Sequence, residues 1–202
     1  DRAIDGARVL AVEPTDARGW RIGDAAIIAA MQEAFPAGRT RLLAISHVQF
    51  ATGEQHDIEL LCAEAHALGG VVCVDGIQSV GQMPLKVDAW GVDFLAADGH
   101  KWMLGREGCG TLYVRAPHLD RLRPPMVGWA SVERPLDWDA HDFTLARSAR
   151  RYETGCHNLV GVVGLAAGLE LLLSEGLESV QRDVRRLATS LAEAARRAGL
   201  HV

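Results

Sequence analysis

The chain has 202 residues, 49% hydrophobic and 23% charged, the mix of an ordinary globular domain rather than of a disordered, collagenous or membrane-spanning chain. Its net charge of -5 and pI near 5.9 argue against nucleic acid or an anionic membrane as the partner, since neither is drawn to an acidic surface. No run of about 18 apolar residues occurs, so no membrane span is expected. Cys62, Cys73, Cys109 and Cys156 show no C-x-x-C spacing, so neither a zinc site nor a disulfide framework is expected, and a reducing, cytoplasmic setting is.

In chain order, short β-rich runs alternate with helical stretches. "ARVLAVEP" (7–14) predicts a strand and "DAAIIAAMQEAF" (24–35) a helix with apolar residues at helical spacing. "RLLAISHVQF" (41–50) predicts a second strand. A helix follows over 57–70, with Asp57 as N-cap and Gly69–Gly70 as its stop. "VVCVD" (71–75) and "VDFLAAD" (92–98) are near-continuous apolar runs, the pattern of strands buried on both faces of a parallel sheet. "GTLYVR" (110–115) predicts a fifth strand, antiparallel because a tight glycine-bearing turn leads into it. Residues 116–151 lose periodicity, and irregular segments of that length are usually functional. From Asn158 a helical region runs to about Gly199, broken near Ser174–Gly176.

Strand–helix–strand alternation predicts an α/β fold with a mostly parallel sheet flanked by helices. The expected organisation is a large-domain core over 1–175 and, over 176–202, a helix leading toward a further domain. The sequence opens without a methionine and stops where another strand is about to begin, so a longer parent polypeptide is expected.

Ligands of such sheets sit at the carboxyl ends of the strands. Asp75 and Lys101 fall at that edge, together with Ser46, His47 and Gln49. A desolvated lysine amine attacks carbonyl groups to form a Schiff base, and His100 and Trp102 beside it favour a crowded pocket over an open loop. A buried carboxylate such as Asp75, opposite that lysine, keeps the pyridinium nitrogen of pyridoxal phosphate (PLP) protonated, making the ring an electron sink. Gln78, three residues on, is placed to hydrogen-bond the ring oxygen. A solvated lysine and an ordinary turn aspartate are the alternatives, and the joint placement of Asp75, Gln78, His100 and Lys101 weighs against them.

The stretch "VDGIQSVGQMPLKVDAWGVDFLAADGHKWMLGREGCGTLYV" resembles the core of class V aminotransferase-fold, PLP-dependent enzymes, nearest to the cysteine desulfurase and selenocysteine lyase branch, with isopenicillin N epimerase-like proteins and kynureninases close by. "RLLAISHVQFATGEQHDIELLCAEAHALGG" and "RRYETGCHNLVGVVGLAAGLELL" resemble the flanking segments. The resemblance implies the fold type I large domain of PLP enzymes. It implies Lys101 as the Schiff-base residue that shuttles the substrate α-proton, Asp75 on the pyridinium nitrogen, Gln78 on the ring oxygen and His100 on the phosphate. It further implies Gly155 and Cys156 reaching the phosphate of a partner subunit in a homodimer with shared sites. The expected activity is of lyase or desulfurase type on an amino acid. Epimerase, kynureninase-like hydrolase, aminotransferase or a non-catalytic scaffold are the alternatives.

Three positions depart from the family pattern. Asp98 stands where a phosphate-binding serine is usual, Cys156 replaces the threonine of the downstream motif, and Phe50 stands where desulfurases carry an asparagine. The motif segments that supply the family's substrate arginine and persulfide cysteine find no counterpart, so no thiol is assigned a catalytic role. "GREGCG" (105–110) leads into a strand, which favours a connecting turn over a nucleotide cradle. The absence of G-x-G-x-x-G after the first strand disfavours a nicotinamide enzyme. His56, Glu59 and His66 lack the spacing of a helical metal site. Arg147, Arg150 and Arg151 are expected either to guide an anion or to pair with carboxylates, and Trp129, Trp138 and Phe143 to pack or to build an interface.

Overall fold

The structure, a computed structural model, describes residues 2–4, 7–14, 19, 21–35, 41–139, 141 and 143–200. They group into two compact units, one of Asp1–Gly76, Lys86–Ala96 and Leu112–Cys156, the other of Ile77–Leu85, Ala97–Thr111 and His157–Val202.

The first strand departs from expectation. β1 (Arg2–Ile4) and β2 (Ala7–Val9) pair antiparallel with each other, and β2 does not enter the main sheet. The main sheet has the order β3-β4-β5-β6: β3 is Leu42–Ser46, β4 Val71–Asp75, β5 Phe94–Asp98 and β6 Gly110–Val114. β3, β4 and β5 run parallel, with Ser46 opposite Asp75 and Asp75 opposite Ala96. Arg115 N–H donates to Asp93 O and Gly99 N–H to Cys109 O, so partner numbers fall as β5 advances and β6 is antiparallel. The sheet is therefore mixed and mostly parallel. Burial alternates along β4: Val72 and Val74 are fully enclosed while Val71 and Cys73 are half-buried, so one face of this strand is covered less completely than the continuous apolar run implied.

α1 (Asp24–Ala34) packs on α2 (Ile58–Ala67), and α2 packs on β4. The buried residues Ile58, Leu61, Cys62 and Ala65 fall at i, i+3, i+4 and i+7, one helical stripe. Each buried Leu or Ile on it contributes about 1.5–3 kcal/mol. The Asp57 side chain caps α2 by accepting from Leu60 N–H at 3.0 Å, and Gly69 takes a positive φ of 73° just beyond its end.

Residues 116–151 hold three short 3-10 turns, at Ala116–His118, Trp129–Ser131 and Ala149–Tyr152. In the second unit, α3 (Leu159–Glu175) begins at an Asn158 cap that accepts from Gly161 N–H at 3.0 Å and donates to Gly108 O at 3.2 Å. α3 ends at Gly176, and α4 (Leu177–Arg197) leaves it at 84°. Among the described residues no single helix is long and apolar enough to cross a membrane.

Candidate active site

In the first unit, the sheet edge gathers Ser46, His47 and Asp75. Ser46 Oγ donates to Asp75 Oδ2 at 3.2 Å, and His47 N–H donates to the Asp75 carbonyl at 3.0 Å. The Asp75 side chain is exposed rather than buried, and the hydroxyl of Ser46, one strand over, helps to orient this carboxylate. His47 is 1% exposed, edge-on to Trp90 at 5.7 Å, with Gln55 Nε2 3.4 Å from its Nε2. Burial, with the nearby His56 adding to it, pushes its pKa down to about 4, so at neutral pH it is an uncharged ring supporting the strand end.

In the second unit, Trp102 Nε1–H donates to Gln78 Oε1 at 3.1 Å. An indole nitrogen only donates, so it fixes the Gln78 amide with its oxygen toward Trp102 and its NH2 turned away. Sequence reasoning took His100 and Trp102 beside the lysine as signs of a crowded pocket; Trp102 is half-buried against Gln78, and Lys101 lies on an exposed turn. That turn is tightly built. Leu104 N–H donates to Lys101 O at 3.1 Å and Gly105 N–H to Gly99 O at 2.8 Å, Met103 is 1% exposed, and Leu104 holds a left-handed φ of 59°. Two glycines press on its backbone: a Cβ on Gly81 would lie 2.4 Å from Trp102 O, and one on Gly168 of α3 2.4 Å from Met103 O. The turn carrying the lysine is thus seated against a helix and a loop that leave no room for a methyl group.

Asp98 sits 3.2 Å from His100, Oδ1 to Nδ1. The carboxylate is partly exposed, but Oδ1 itself is shielded and lies off the line of a hydrogen bond to the ring. The His100 contact, helped by the N–H groups of Gly99 and His100, holds the Asp98 carboxyl below its usual range.

Gly155 has φ 143°, and a Cβ there would come within 2.2 Å of Trp129 Nε1; Cys156 follows, exposed, with φ 42°. Trp129 and Trp138 lie 6.2 Å apart in tilted contact, and both are exposed, as is Phe143. Phe50 is 83% exposed. Of the basic cluster, Arg147 pairs with Glu133 at 2.9 Å and Arg150 donates to Ala130 O at 2.8 Å. Arg151 is buried and donates to the carbonyls of Ala146 and Leu119. These arginines brace the irregular segment. His56 faces Asp24 at 2.7 Å and His66 faces Asp93 at 2.8 Å. Asp93, which sequence reasoning passed over, is nearly buried and also accepts from His118 at 2.7 Å and from Val72 N–H at 2.8 Å. Its place at the start of an apolar run gave no local sign of these partners.

The first unit offers a hydroxyl-anchored carboxylate at a parallel strand end, and the second an oriented carboxamide and a primary amine on a rigid turn, group types that suit a pyridine ring with a phenolic oxygen and an aldehyde. A mixed, mostly parallel α/β sheet flanked by helices is the architecture of fold type I PLP-dependent enzymes. The comparison with protein families agrees: the chain belongs to the aminotransferase class-V family, whose model matches residues 20–198. A probable cysteine desulfurase of Pyrococcus abyssi is 33% identical over 76% of this chain and 37% of its own length. The apo structure of cysteine desulfurase from Thermococcus onnurineus NA1 superposes with a TM-score of 0.72 at 31% identity, covering 84% of this chain and 41% of that one. A C-DES variant with glycine covalently linked to the PLP cofactor superposes with a TM-score of 0.65 at 29% identity, over 73% of this chain and 39% of that one. The chain thus spans about two fifths of the length of the relatives it matches.

Proposed function

We propose that this chain is the cofactor-binding core of a PLP-dependent enzyme of cysteine desulfurase or related lyase type, acting on an amino acid in a cytoplasmic homodimer. The observation that carries the reading is the Lys101 turn, held rigid by buried Met103 and by two glycines with no room for a side chain. In this reading Asp75, which accepts from Ser46, would pair with the ring nitrogen, Gln78, whose oxygen accepts from Trp102, would offer its NH2 to the ring oxygen, and His100 would bind the phosphate. Gly155 and Cys156 would bind the phosphate of a partner subunit's cofactor. When bound, the cofactor supplies an electron sink for charge developing at the substrate Cα. Lys101 Nζ, the amine that links to the cofactor, then takes the α-proton and holds it for return to carbon or to the leaving group.

Burial, with the Asp93 charge adding to it, pushes the Cys62 thiol up to about 11, and burial pushes Cys73 up as well, so neither supplies a ready thiolate for sulfur transfer. A kynureninase-like hydrolase is the second reading, favoured by the exposed aromatic Phe50 in place of an asparagine.

The chain contains two lysines, Lys86 and Lys101. Borohydride reduction of the purified protein, followed by peptide mapping, is expected to fix the cofactor on Lys101. Label on Lys86, or on no residue of this chain, overturns the assignment.

A further inference from the structure

Asp75 has a tied backbone and an exposed side chain. Its carbonyl accepts from His47 N–H at 3.0 Å on one side, and the next N–H, of Gly76, donates to Ala96 O at 2.8 Å on the other, so the strand end is joined to both neighbours. His47 is held in turn, with its ring buried and its carbonyl accepting from His56 N–H at 2.9 Å. The carboxylate, by contrast, stands out in solvent, where a side chain turns among several rotamers unless something holds it. Its two ladder neighbours differ in what they can do about that. Ser46 lies opposite it on β3 and Ala96 on β5, and of the two side chains only the serine has a donor to offer. Neighbouring strands lie about 4.8 Å apart, so residues in register bring their side chains together on one face. Here Ser46, itself half-buried, donates from Oγ to Asp75 Oδ2 at 3.2 Å.

We propose that Ser46 is a positioning residue for the cofactor, its hydroxyl holding the Asp75 carboxylate in the rotamer that meets the ring nitrogen of PLP. The inference rests on the reading of the chain as a PLP enzyme. The ring is an electron sink while its nitrogen keeps a proton, and a charge-assisted hydrogen bond to a carboxylate, short and directional, is what keeps it there. A carboxylate that has to be ordered first gives up part of that bond's free energy to side-chain entropy, whereas one already held from the next strand gives up less. Ser46 acts through Asp75 and not on the cofactor itself.

The test compares dissociation constants for PLP and for its 1-deaza analogue, in which carbon replaces the ring nitrogen, in the purified protein and in Ser46→Ala, Ser46→Thr, Asp75→Ala and the Ser46→Ala/Asp75→Ala double variant. The preference for PLP over the analogue is expected to fall about three- to tenfold in Ser46→Ala, while binding of the analogue itself stays within about twofold of the parent. Ser46→Thr, which keeps the hydroxyl on a strand that suits a β-branched residue, is expected to restore the preference. In the double variant the preference is expected to equal that of Asp75→Ala alone, since the serine has nothing left to hold. In the cofactor-free protein the 13C signal of the Asp75 carboxyl is expected to move in Ser46→Ala and to return in Ser46→Thr. Equal losses for both cofactors in Ser46→Ala show a general effect on the fold and overturn the proposal. So does a threonine that fails to restore the preference, and so does an Asp75 signal indifferent to both substitutions. If no cofactor attaches to Lys101 in the parent protein, the enzyme reading fails and this inference falls with it. PLP linked to Lys101 with the preference unchanged in Ser46→Ala sinks this inference alone.

Discussion

Gly168 offers a sharp test of whether the lysine turn is held by α3. Replacing it with alanine inside a helix gains about 0.8–1.0 kcal/mol of helix propensity. Against that, the new Cβ would stand 2.4 Å from Met103 O and 3.1 Å from both Leu104 C and Leu104 Cβ. Carbon–oxygen contacts in folded proteins run to about 3.3 Å or more, so backbone has to move by roughly 0.9 Å. Rotating a side chain cannot relieve this, because the nearest atom is a carbonyl and Met103 is itself buried. Such overpacking costs about 1–3 kcal/mol, giving a net loss of about 0–2 kcal/mol in Gly168→Ala. The same helix contains its own control. A Cβ on Gly164 would meet nothing nearer than Arg106 Cγ at 3.9 Å, so Gly164→Ala is expected to gain about 0.8–1.0 kcal/mol. Urea unfolding of the two variants reads both numbers, and borohydride labelling at Lys101 reads the turn. Gly168→Ala should unfold at lower urea and label less, Gly164→Ala at higher urea with labelling unchanged. If the two variants gain stability equally and label alike, α3 does not clamp the turn and the argument is wrong.

Two further substitutions probe contacts that act through other residues. Trp102→Phe removes the N–H that orients the Gln78 amide, and PLP affinity, followed by absorbance of the bound cofactor, is expected to fall about fivefold, the equivalent of about 1 kcal/mol; unchanged affinity would show that the amide needs no such guide. At Asp93, burial pushes the carboxyl up, but hydrogen bonds from His66, His118 and Val72 N–H, with the charge of His66, outweigh it and hold the group below its ordinary value. A group depressed on folding contributes stability that is present above its unfolded pKa and lost as pH falls through the folded one, so the loss belongs below about pH 4. Asp93→Asn should cost about 1.5–3 kcal/mol at pH 7 and flatten the decline of stability below pH 4; urea midpoints from pH 3 to 7 that keep the parent's slope in the variant would refute this.

Much of the framework could be read from the sequence because its signals are local. The Asp57 cap, the glycine stop of α2, the bounds of β4 and the break of the long helix at Gly176 each depend on residues within one turn of one another. The first strand misled for the same reason. "ARVLAVEP" carries strand propensity but no mark of its partner, and β2 takes the adjacent β1 rather than a place in the parallel sheet. Burial was overread in β4, where an apolar run implied two covered faces and the structure shows alternation between enclosed and half-buried residues. Composition reports what a strand tolerates; its cover is set by helices far along the chain.

The site divides along the same line. Residue types at strand ends made Asp75, Gln78, His100 and Lys101 candidates and placed Ser46 and Trp102 nearby, whereas the pairings could not be read: Ser46 reaches Asp75 across 29 residues and Trp102 reaches Gln78 across 24. Asp98 shows most clearly what spacing leaves open. As a letter it is an anion beside an expected anion, an apparent contradiction of the phosphate cup. In the structure its oxygen stands 3.2 Å from His100 Nδ1, a neighbour two residues on whose orientation spacing alone left open. A departure from a family pattern is therefore weighed by what the folded chain sets beside it, which spacing alone does not show.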